Sequence, residues 1–194
     1  MSERTLHWSH WGGPVGSAFR WLVDLTARKE VEVTDETPYF PAETVENLNG
    51  EHFAFPADLP ADRTLALIAF LDRQKGVLNS WVERMDLTKP DAPAWVEFPL
   101  VTDLGETYRD YVNGVLKEEI SQPEHRSHVF TLSTHVREFC RSLGLTTTRK
   151  VYAVVLDRRG KVVAIEEGKP TTESIRRLKI ALSHSPYCGG RAIA

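Results

Sequence analysis

The chain is poor in cysteine, and it has neither a long apolar run nor a large excess of one charge. Its two cysteines, Cys140 and Cys188, are too few for a disulfide framework and do not form a CxxC pair. We therefore expect a reducing, cytoplasmic location. A net charge of −3 gives no general attraction to nucleic acid. No segment approaches the roughly 18 apolar residues of a membrane-spanning helix, so no span is expected.

Motifs that mark nucleotide cofactors and serine nucleophiles are also missing. The sequence contains no P-loop, no GxGxxG and no GxSxG. Its first residues, MSERTLHWSHWGG, have no basic region followed by an apolar core. We therefore predict no cofactor and no secretory signal. The fractions of hydrophobic residues, 41%, and of charged residues, 26%, are ordinary for a folded domain.

What the sequence does contain is an alternation of strand-like and helix-like segments. Leu65–Leu71 is continuously apolar, as in a central strand, and a polar turn and an amphipathic helix follow it. Another strand, Trp95–Val101, contains Pro99, which should end it or make it irregular. Asn49-Gly50 predicts a hairpin before these units, and Asp157–Gly160 predicts a turn between two strands after them.

The order of these segments predicts an α/β domain with a mixed central sheet. A hairpin, three strand–helix units and a closing strand–strand–helix unit imply a mostly parallel sheet with helices on both faces. A short strand is predicted at Val129–Leu132, and Ser133 or Thr134 is predicted to cap the helix after it. Thr171 or Thr172 is predicted to cap the last helix.

We divide the chain into three parts on these grounds. Residues 1–37 form an arm that contains a helix at Val15–Lys29, residues 38–183 form the α/β domain, and residues 184–194 form a flexible tail. The apolar side of the arm's helix needs cover, either from the main domain or from a second copy of the chain. A homodimer through this helix is therefore a further hypothesis.

This pattern resembles the thioredoxin-like superfamily, in the form shared by peroxiredoxins and membrane-tethered thiol reductases. The similarity covers residues 39–183, and its most specific part is VYAVVLDRRGKVVAIEEG, which looks like the strand–DxxG–strand ending of these proteins. The lead-in FPAETVENLNGEHFAFPADLP and the strand TLALIAFL are also similar. Within the superfamily the chain looks most like the mitochondrial ATP synthase assembly-factor family and its bacterial relatives, through EFPLVTDLGETYRDYVNGVLKEEI, VFTLSTHVREFCRSLGL and the spacing of Phe70, Leu71, Gln74, Val77 and Trp81.

The chain departs from the superfamily where the superfamily's chemistry takes place. That chemistry needs a thiolate at the strand-to-helix turn, where the helix N-terminus lowers its pKa. Residues 72–79 read DRQKGVLN instead, and the site of the superfamily's cis-proline reads Thr-Thr-Arg-Lys at residues 147–150. The resemblance therefore implies a non-catalytic protein that binds another protein, in an assembly or chaperone-like role.

The turn and the loop that replace the thiol site are the predicted binding surface. The fold should place residues 72–76 beside residues 146–150. Helix amides with Arg73 and Lys75 could bind an anion or an acidic residue of a partner, and a solvated charged turn is the alternative. The residues that we assign to this surface are Asp72, Arg73, Gln74, Lys75, Thr147 and Arg149.

The alternative function is that of a diverged thiol enzyme, either an oxidoreductase or a peroxiredoxin-like one, which would use Cys140 or Cys188. Cys140 lies in an amphipathic helix and is expected to be a buried structural residue, whereas Cys188 lies in the tail. No metal site is predicted, because two histidine pairs spaced three residues apart lack a third ligand nearby; these pairs are His7 with His10 and His125 with His128.

Overall fold

The computed structural model describes residues 37–70, 72–102 and 104–183. The helix predicted at Val15–Lys29, the histidine pair near the N-terminus and Cys188 lie outside the described residues. The strands are β1 (Glu43–Glu46), β2 (His52–Phe55), β3 (Arg63–Ala69), β4 (Trp95–Thr102), β5 (Leu132–Thr134), β6 (Tyr152–Asp157) and β7 (Val162–Glu167). The helices are α1 (Lys75–Arg84), α2 (Glu106–Glu119), α3 (Pro123–Arg126), α4 (Val136–Leu143) and α5 (Thr172–Ser183), with a 3₁₀ turn at Asp72–Gln74 before α1.

Five strands form a mixed sheet in the order β5-β4-β3-β6-β7, and β1 pairs with β2 in a separate hairpin. β3, β4 and β5 are parallel to one another, whereas β6 is antiparallel to both β3 and β7. Parallel neighbours need crossover connections, and the helices between them supply these. The predicted mixed sheet with flanking helices is confirmed.

The central strand β3 is buried because helices or the hairpin cover both faces of the sheet. Leu65 and Leu67 point to the face that α1 and α5 cover, together with Trp81 of α1. Ala66 and Ile68 point to the opposite face, which α4 and the β1–β2 hairpin cover. Side chains alternate between faces along a strand, so a strand covered on both sides is apolar throughout.

Phenylalanine rings fill the face that carries α4 and the hairpin. The ring centroid of Phe40 lies 4.9 Å from that of Phe98 and 5.4 Å from that of Phe139. Phe55 meets Phe98 edge to face at 5.1 Å and Phe130 at 4.9 Å. Such pairs contribute about 0.5–1.5 kcal/mol each beyond the area they bury. The cluster holds the hairpin against the sheet.

In the closing turn between β6 and β7, the first and the last residue, Asp157 and Gly160, each have a specific structural role. Asp157 Oδ1 accepts hydrogen bonds from the backbone N–H groups of Arg159 and Lys161, both at 2.9 Å. Gly160 has φ +83°, and a Cβ there would lie 2.8 Å from Cβ of Pro56. A side chain at this position would therefore be strained by the backbone and would collide with the hairpin.

Two local expectations differ from the structure. The strand after α3 begins at Leu132 rather than 129, because Val129 and Phe130 form isolated bridges with Glu97 and Asn47. Neither Ser133 nor Thr134 caps α4; the N-cap is His135, which makes no side-chain cap bond. Thr134 Oγ1 instead donates to a carboxylate oxygen of Glu43 at 3.1 Å, so a tertiary contact has replaced the local one.

Pro99 lies inside β4 and does not end it, so the irregular position is the correct alternative. The backbone N–H of Glu97 donates to His128 O, and its backbone O accepts from Phe130 N, so the backbone polar groups of Glu97 point toward β5. Backbone groups of residues two apart in a strand point the same way, so those of Pro99 also point toward β5. Regular pairing with β5 resumes at Leu100, opposite Leu132. The missing N–H of the proline therefore falls in a gap of the ladder.

Helix ends elsewhere follow the local rules. Thr171 Oγ1 accepts the backbone N–H of Ser174 at 3.0 Å, which confirms a threonine cap on α5. Gly144 ends α4 in the left-handed conformation, as the Leu143-Gly144 pair predicts. None of the described helices combines the length and hydropathy that a membrane span requires.

Candidate functional site

The turn between β3 and α1 lies at the carboxyl end of the central strand. β3 ends at Ala69, the 3₁₀ turn occupies Asp72–Gln74, and α1 begins at Lys75. The loop at residues 146–150 precedes β6, and β6 is antiparallel to β3 with Ile68 opposite Tyr152. Both segments therefore meet at one edge of the sheet. We refer to residues 72–76 and 146–150 together as the turn–loop junction.

Gln74 joins the two halves of the junction. It is only 5% exposed. Its Oε1 accepts the backbone N–H of Phe70 at 2.7 Å, and its Nε2 donates to the backbone O of Thr148 at 2.9 Å. Both backbone groups are buried and would otherwise have no partner in this geometry. Gln74, which the sequence assigns to a binding surface, is thus a connector between the turn and the loop.

The loop half of the junction is held by the hydroxyl of Tyr152. This hydroxyl accepts the backbone N–H of Thr147 at 3.0 Å and donates to the backbone O of the same residue at 2.9 Å. Thr147 Oγ1 in turn accepts the backbone N–H of Arg149 at 3.2 Å. Thr148 Oγ1 is buried and has no hydrogen-bond partner among the described residues. The loop is therefore shaped by hydrogen bonds between its backbone and the side chains of Tyr152 and Thr147 rather than by a proline.

Two lysine ion pairs and two exposed arginines carry the positive charge around the junction. Lys75 forms an ion pair with Glu119 of α2, and Lys150 forms one with Glu167 of β7. The Glu167 carboxylate raises the pKa of Lys150, first through its hydrogen bond and then through its charge. Arg73 and Arg149 are exposed. Pairing reduces the positive charge that Lys75 can offer to a ligand, whereas Arg73 and Arg149 place exposed side chains on the two halves of the junction.

Cys140 lies in α4 on the far side of the sheet from α1. It is fully buried in the phenylalanine-rich face, and burial raises the pKa of its thiol to about 12. A thiolate is the nucleophilic form of cysteine, so this environment suppresses its reactivity. Cys188 lies outside the described residues. The structure does not bring Cys140 to the turn–loop junction.

The histidines at 125 and 128 pack around one tryptophan. The ring of His128 stacks on that of Trp95 with centroids 4.5 Å apart, and its Nδ1 lies 3.0 Å from the backbone O of Trp95. Burial lowers the pKa of His128, and the hydrogen bond to Trp95 partly opposes this shift. Across residues 37–70, 72–102 and 104–183, no group of three metal-binding side chains comes together.

A cavity of about 100 Å³ lies beside the junction, between α1, α2 and β4. We call it the α1–α2 cavity. The Lys75–Glu119 ion pair contributes to its lining, and so does Asn79. Most of the wall is apolar and comes from Phe70, Leu78, Pro99, Val101, Val112 and Leu116. The cavity is partly open to solvent, so a small molecule could enter it.

Glu97 is the buried carboxylate of this cavity, and our sequence analysis missed it. It sits in β4 and is 6% exposed. Its Oε2 lies 3.4 Å from Nε2 of the half-buried His125. Within the described residues, this is the single side-chain hydrogen bond or ion pair of the Glu97 carboxylate. The available signal was an acidic residue inside the apolar run WVEFPLV.

Comparisons with solved structures establish the class of fold. An exposed lipoprotein thioredoxin from Streptococcus pneumoniae strain TIGR4 is 12% identical, with a TM-score of 0.51 over 72% of this chain and 99% of that one. BsSco, a member of the Sco family of cytochrome c oxidase assembly proteins, is 13% identical, with a TM-score of 0.50 over 77% and 96%. A candidate electron transfer protein from Aquifex aeolicus VF5 is 13% identical, with a TM-score of 0.53 over 75% and 97%.

The chain therefore has a thioredoxin-like fold, as the sequence resemblance predicts. No family model matches it, and neither does any curated protein. At identities of 12–13% the structural likeness defines the fold alone. The similarity to the ATP synthase assembly-factor family stays a prediction.

Proposed function

We propose that the chain is a non-catalytic thioredoxin-like protein that binds another protein through the turn–loop junction, in an assembly or chaperone-like role. One observation carries this proposal. Gln74 fixes the turn against the loop at the strand-to-helix position where thioredoxin-like proteins carry their reactive cysteine, and no cysteine occupies residues 72–76. A preorganised surface lowers the entropy that binding must overcome.

The charge of the junction indicates the chemistry of the partner. Arg73 and Arg149 are exposed on its two halves. Arginine forms planar, bidentate hydrogen bonds with carboxylates, so an acidic segment is the partner that this surface fits best. The name of BsSco as an assembly protein is consistent with such a role, but it describes that protein and carries only the analogy.

Affinity capture with matched charge variants tests the proposal. The intact chain, Arg73→Ala/Arg149→Ala and the control Arg158→Ala/Arg159→Ala would be used as baits. The control removes the same amount of charge from the opposite end of β6, where Asp157 lies opposite Arg63 in the strand register. We expect the junction variant to lose at least about tenfold of a partner that the other two baits retain. Equal recovery of every partner by all three baits would contradict the proposal.

A diverged thiol oxidoreductase or peroxiredoxin-like enzyme remains the alternative function. The burial of Cys140 and the raised pKa of its thiol favour the non-catalytic proposal. Cys188 lies outside the described residues, so a chemical probe must address it. If Cys188 reacted with peroxide faster than a free thiol does, this result would contradict the non-catalytic proposal and support the thiol-enzyme alternative.

Two further expectations belong to this proposal. A homodimer through the helix that the sequence predicts at Val15–Lys29 would have a solution mass of twice 22.0 kDa by light scattering. A monomer mass at every concentration would exclude the dimer. The reducing cytoplasm that the low cysteine content indicates is tested by cell fractionation, and recovery of the native chain in an exported fraction would contradict it.

A further inference from the structure

We propose that the α1–α2 cavity is a second binding site, which takes an alkylammonium group: an ammonium head at Glu97 with a short aliphatic chain against the apolar wall. This site adjoins the protein-binding surface of the turn–loop junction and shares Lys75 with it. It would exist whether or not the junction binds a partner, because its specificity comes from β4 and α2.

The charges that line the cavity favour a cation. Lys75 and Glu119 form an ion pair with each other, so they offset one another at the cavity wall. Glu97 is then the uncompensated charge, since His125 is charged only if it is protonated. A carboxylate in a low-dielectric site is costly unless a cation or a hydrogen-bond donor satisfies it. An ammonium ion supplies both.

Among the described residues the Glu97 carboxylate has one polar contact, which leaves room for such a partner. The 3.4 Å separation between Glu97 Oε2 and His125 Nε2 is long for a hydrogen bond that involves a charged group. Buried carboxylates commonly accept several shorter hydrogen bonds. Within the part of the chain that the structure describes, the carboxylate has no second side-chain partner. The remaining acceptor capacity matches an ammonium donor.

Size and lining define the rest of the ligand. A cavity of about 150 Å³ takes up benzene, so the volume here, about 100 Å³, fits a chain of roughly four carbons. The lining from Leu78, Val112 and Leu116 is aliphatic and offers no donor or acceptor. An anion would be repelled by Glu97, and a neutral alkane would leave its carboxylate unsatisfied. An n-butylammonium ion satisfies both halves of the site.

Two sources share this chemistry: a free small amine and the side chain of a lysine on another chain. The probes are n-butylammonium chloride and Nα-acetyl-lysine methylamide, with n-butanol as the neutral isostere and sodium chloride as the ionic-strength control. Each would be titrated into the intact ¹⁵N-labelled chain while the amide signals of Phe70, Leu78 and Val101 are followed by NMR. Binding of butylammonium alone identifies a free amine, and binding of both cations extends the site to a lysine side chain.

Three variants locate the effect. Glu97→Gln removes the buried charge with almost no change of shape, and Glu83→Gln removes an exposed charge from α1 as a matched control. Leu116→Phe fills the cavity. We expect butylammonium to bind the native chain with a millimolar dissociation constant. Glu97→Gln should weaken binding about tenfold to a hundredfold, because a charged hydrogen bond is lost. Leu116→Phe should abolish binding, and Glu83→Gln should leave it unchanged.

The result that overturns the proposal is equally specific. Equal binding of butylammonium and n-butanol to the native chain would show that Glu97 does not read the charge, and this comparison needs no variant to fold. Shifts that sodium chloride reproduces, or that persist undiminished in Glu97→Gln, would also overturn it. These outcomes leave the protein-capture result at the turn–loop junction untouched, so failure of one proposal is distinguishable from failure of the other.

Discussion

The turn–loop junction and the α1–α2 cavity lie next to each other and share Lys75, but their buried polar groups are satisfied differently. In the junction, Gln74 makes hydrogen bonds of 2.7 and 2.9 Å to two backbone groups. In the cavity, the one polar contact of the Glu97 carboxylate among the described residues is to His125, at 3.4 Å. The junction therefore uses its buried polar side chain for stability, whereas the cavity keeps acceptor capacity for a ligand.

This difference shows why position in the fold is a poor guide to the role of a residue. Gln74 lies at the turn where thioredoxin-like proteins carry their chemistry, yet its side chain holds the structure together. Glu97 lies in the middle of a strand, where a structural role is usual, yet its side chain faces a partly open cavity. Burial and hydrogen-bond geometry distinguish the two roles, and neither can be read from the sequence.

The largest expected effect is the low reactivity of Cys140, a thiol that lies in neither of the two regions. If this thiol were reactive, the enzyme alternative would hold and neither region would be the site of the chemistry. With Cys188→Ser as background, Cys140 should react with a maleimide at neutral pH at least about a thousandfold more slowly than a free thiol, because its raised pKa and its burial both suppress the thiolate. Stopped-flow or quench-flow labelling measures the rate. The same variant unfolded in denaturant is the control, and it should react at the free-thiol rate. Fast labelling of the native chain would return the thiol enzyme to first place.

Loss of the connector in the junction should be the next largest effect. Gln74→Ala leaves the backbone N–H of Phe70 and the backbone O of Thr148 buried without partners, and we expect it to cost about 3 kcal/mol of unfolding free energy. Denaturant unfolding followed by tryptophan fluorescence measures this. Gln122→Ala is a matched control, because Gln122 is exposed, and it should change stability by less than about 0.5 kcal/mol. A similar small change for Gln74→Ala would mean that the junction is not held by this residue.

Acid should destabilise the fold through His128, which stacks on Trp95 beside the cavity residue His125. Burial holds the pKa of this imidazole below its ordinary value of 6.5, so the unfolded chain binds the proton first as the pH falls. Unfolding free energy should therefore decrease as the pH drops through about 6.5 and level off below the folded-state pKa. The neighbouring His125 lowers the pKa of His128 further through charge repulsion.

The slope of stability against pH separates this effect from the loss of packing. His128→Asn removes the stack on Trp95 at every pH, but it should also flatten the decrease between pH 7 and pH 5. His52→Asn is the control, because the His52 side chain is 74% exposed, and it should keep the native slope. Identical slopes for all three proteins would show that His128 does not carry the pH dependence.

The smallest effect is expected where the two regions meet. The side chains of Lys75 and Glu119 are 40% and 38% exposed, so their ion pair is screened by water. Lys75→Ala should change the unfolding free energy by less than about 1 kcal/mol, and salt should reduce the difference further. Thermal unfolding at low and high salt measures it. A loss above 2 kcal/mol would mean that the pair holds the cavity wall in place.

Much of the fold follows from the sequence through local rules. The apolar run of β3, the Asn49-Gly50 hairpin and the Asp157–Gly160 turn each have a mechanism that acts within a few residues. The cap at Thr171 is of the same kind. Expectations that depended on local rules alone also failed in a consistent way. Ser133 or Thr134 was predicted to cap α4, but the N-cap is His135, and the hydroxyl of Thr134 donates to Glu43, ninety-one positions earlier in the chain.

The features of the candidate site also fall into two groups, those fixed by residue identity and those that depend on packing. The sequence by itself determined that residues 72–76 contain no thiol and that they are polar and basic, because side-chain identity needs no coordinates. Only the tertiary structure decided that Gln74 bridges the turn to residue 148, that Lys75 is paired with Glu119, and that Glu97 faces a cavity. Each of these contacts joins segments that are far apart in sequence, and such contacts are set by how the elements pack and not by local propensity.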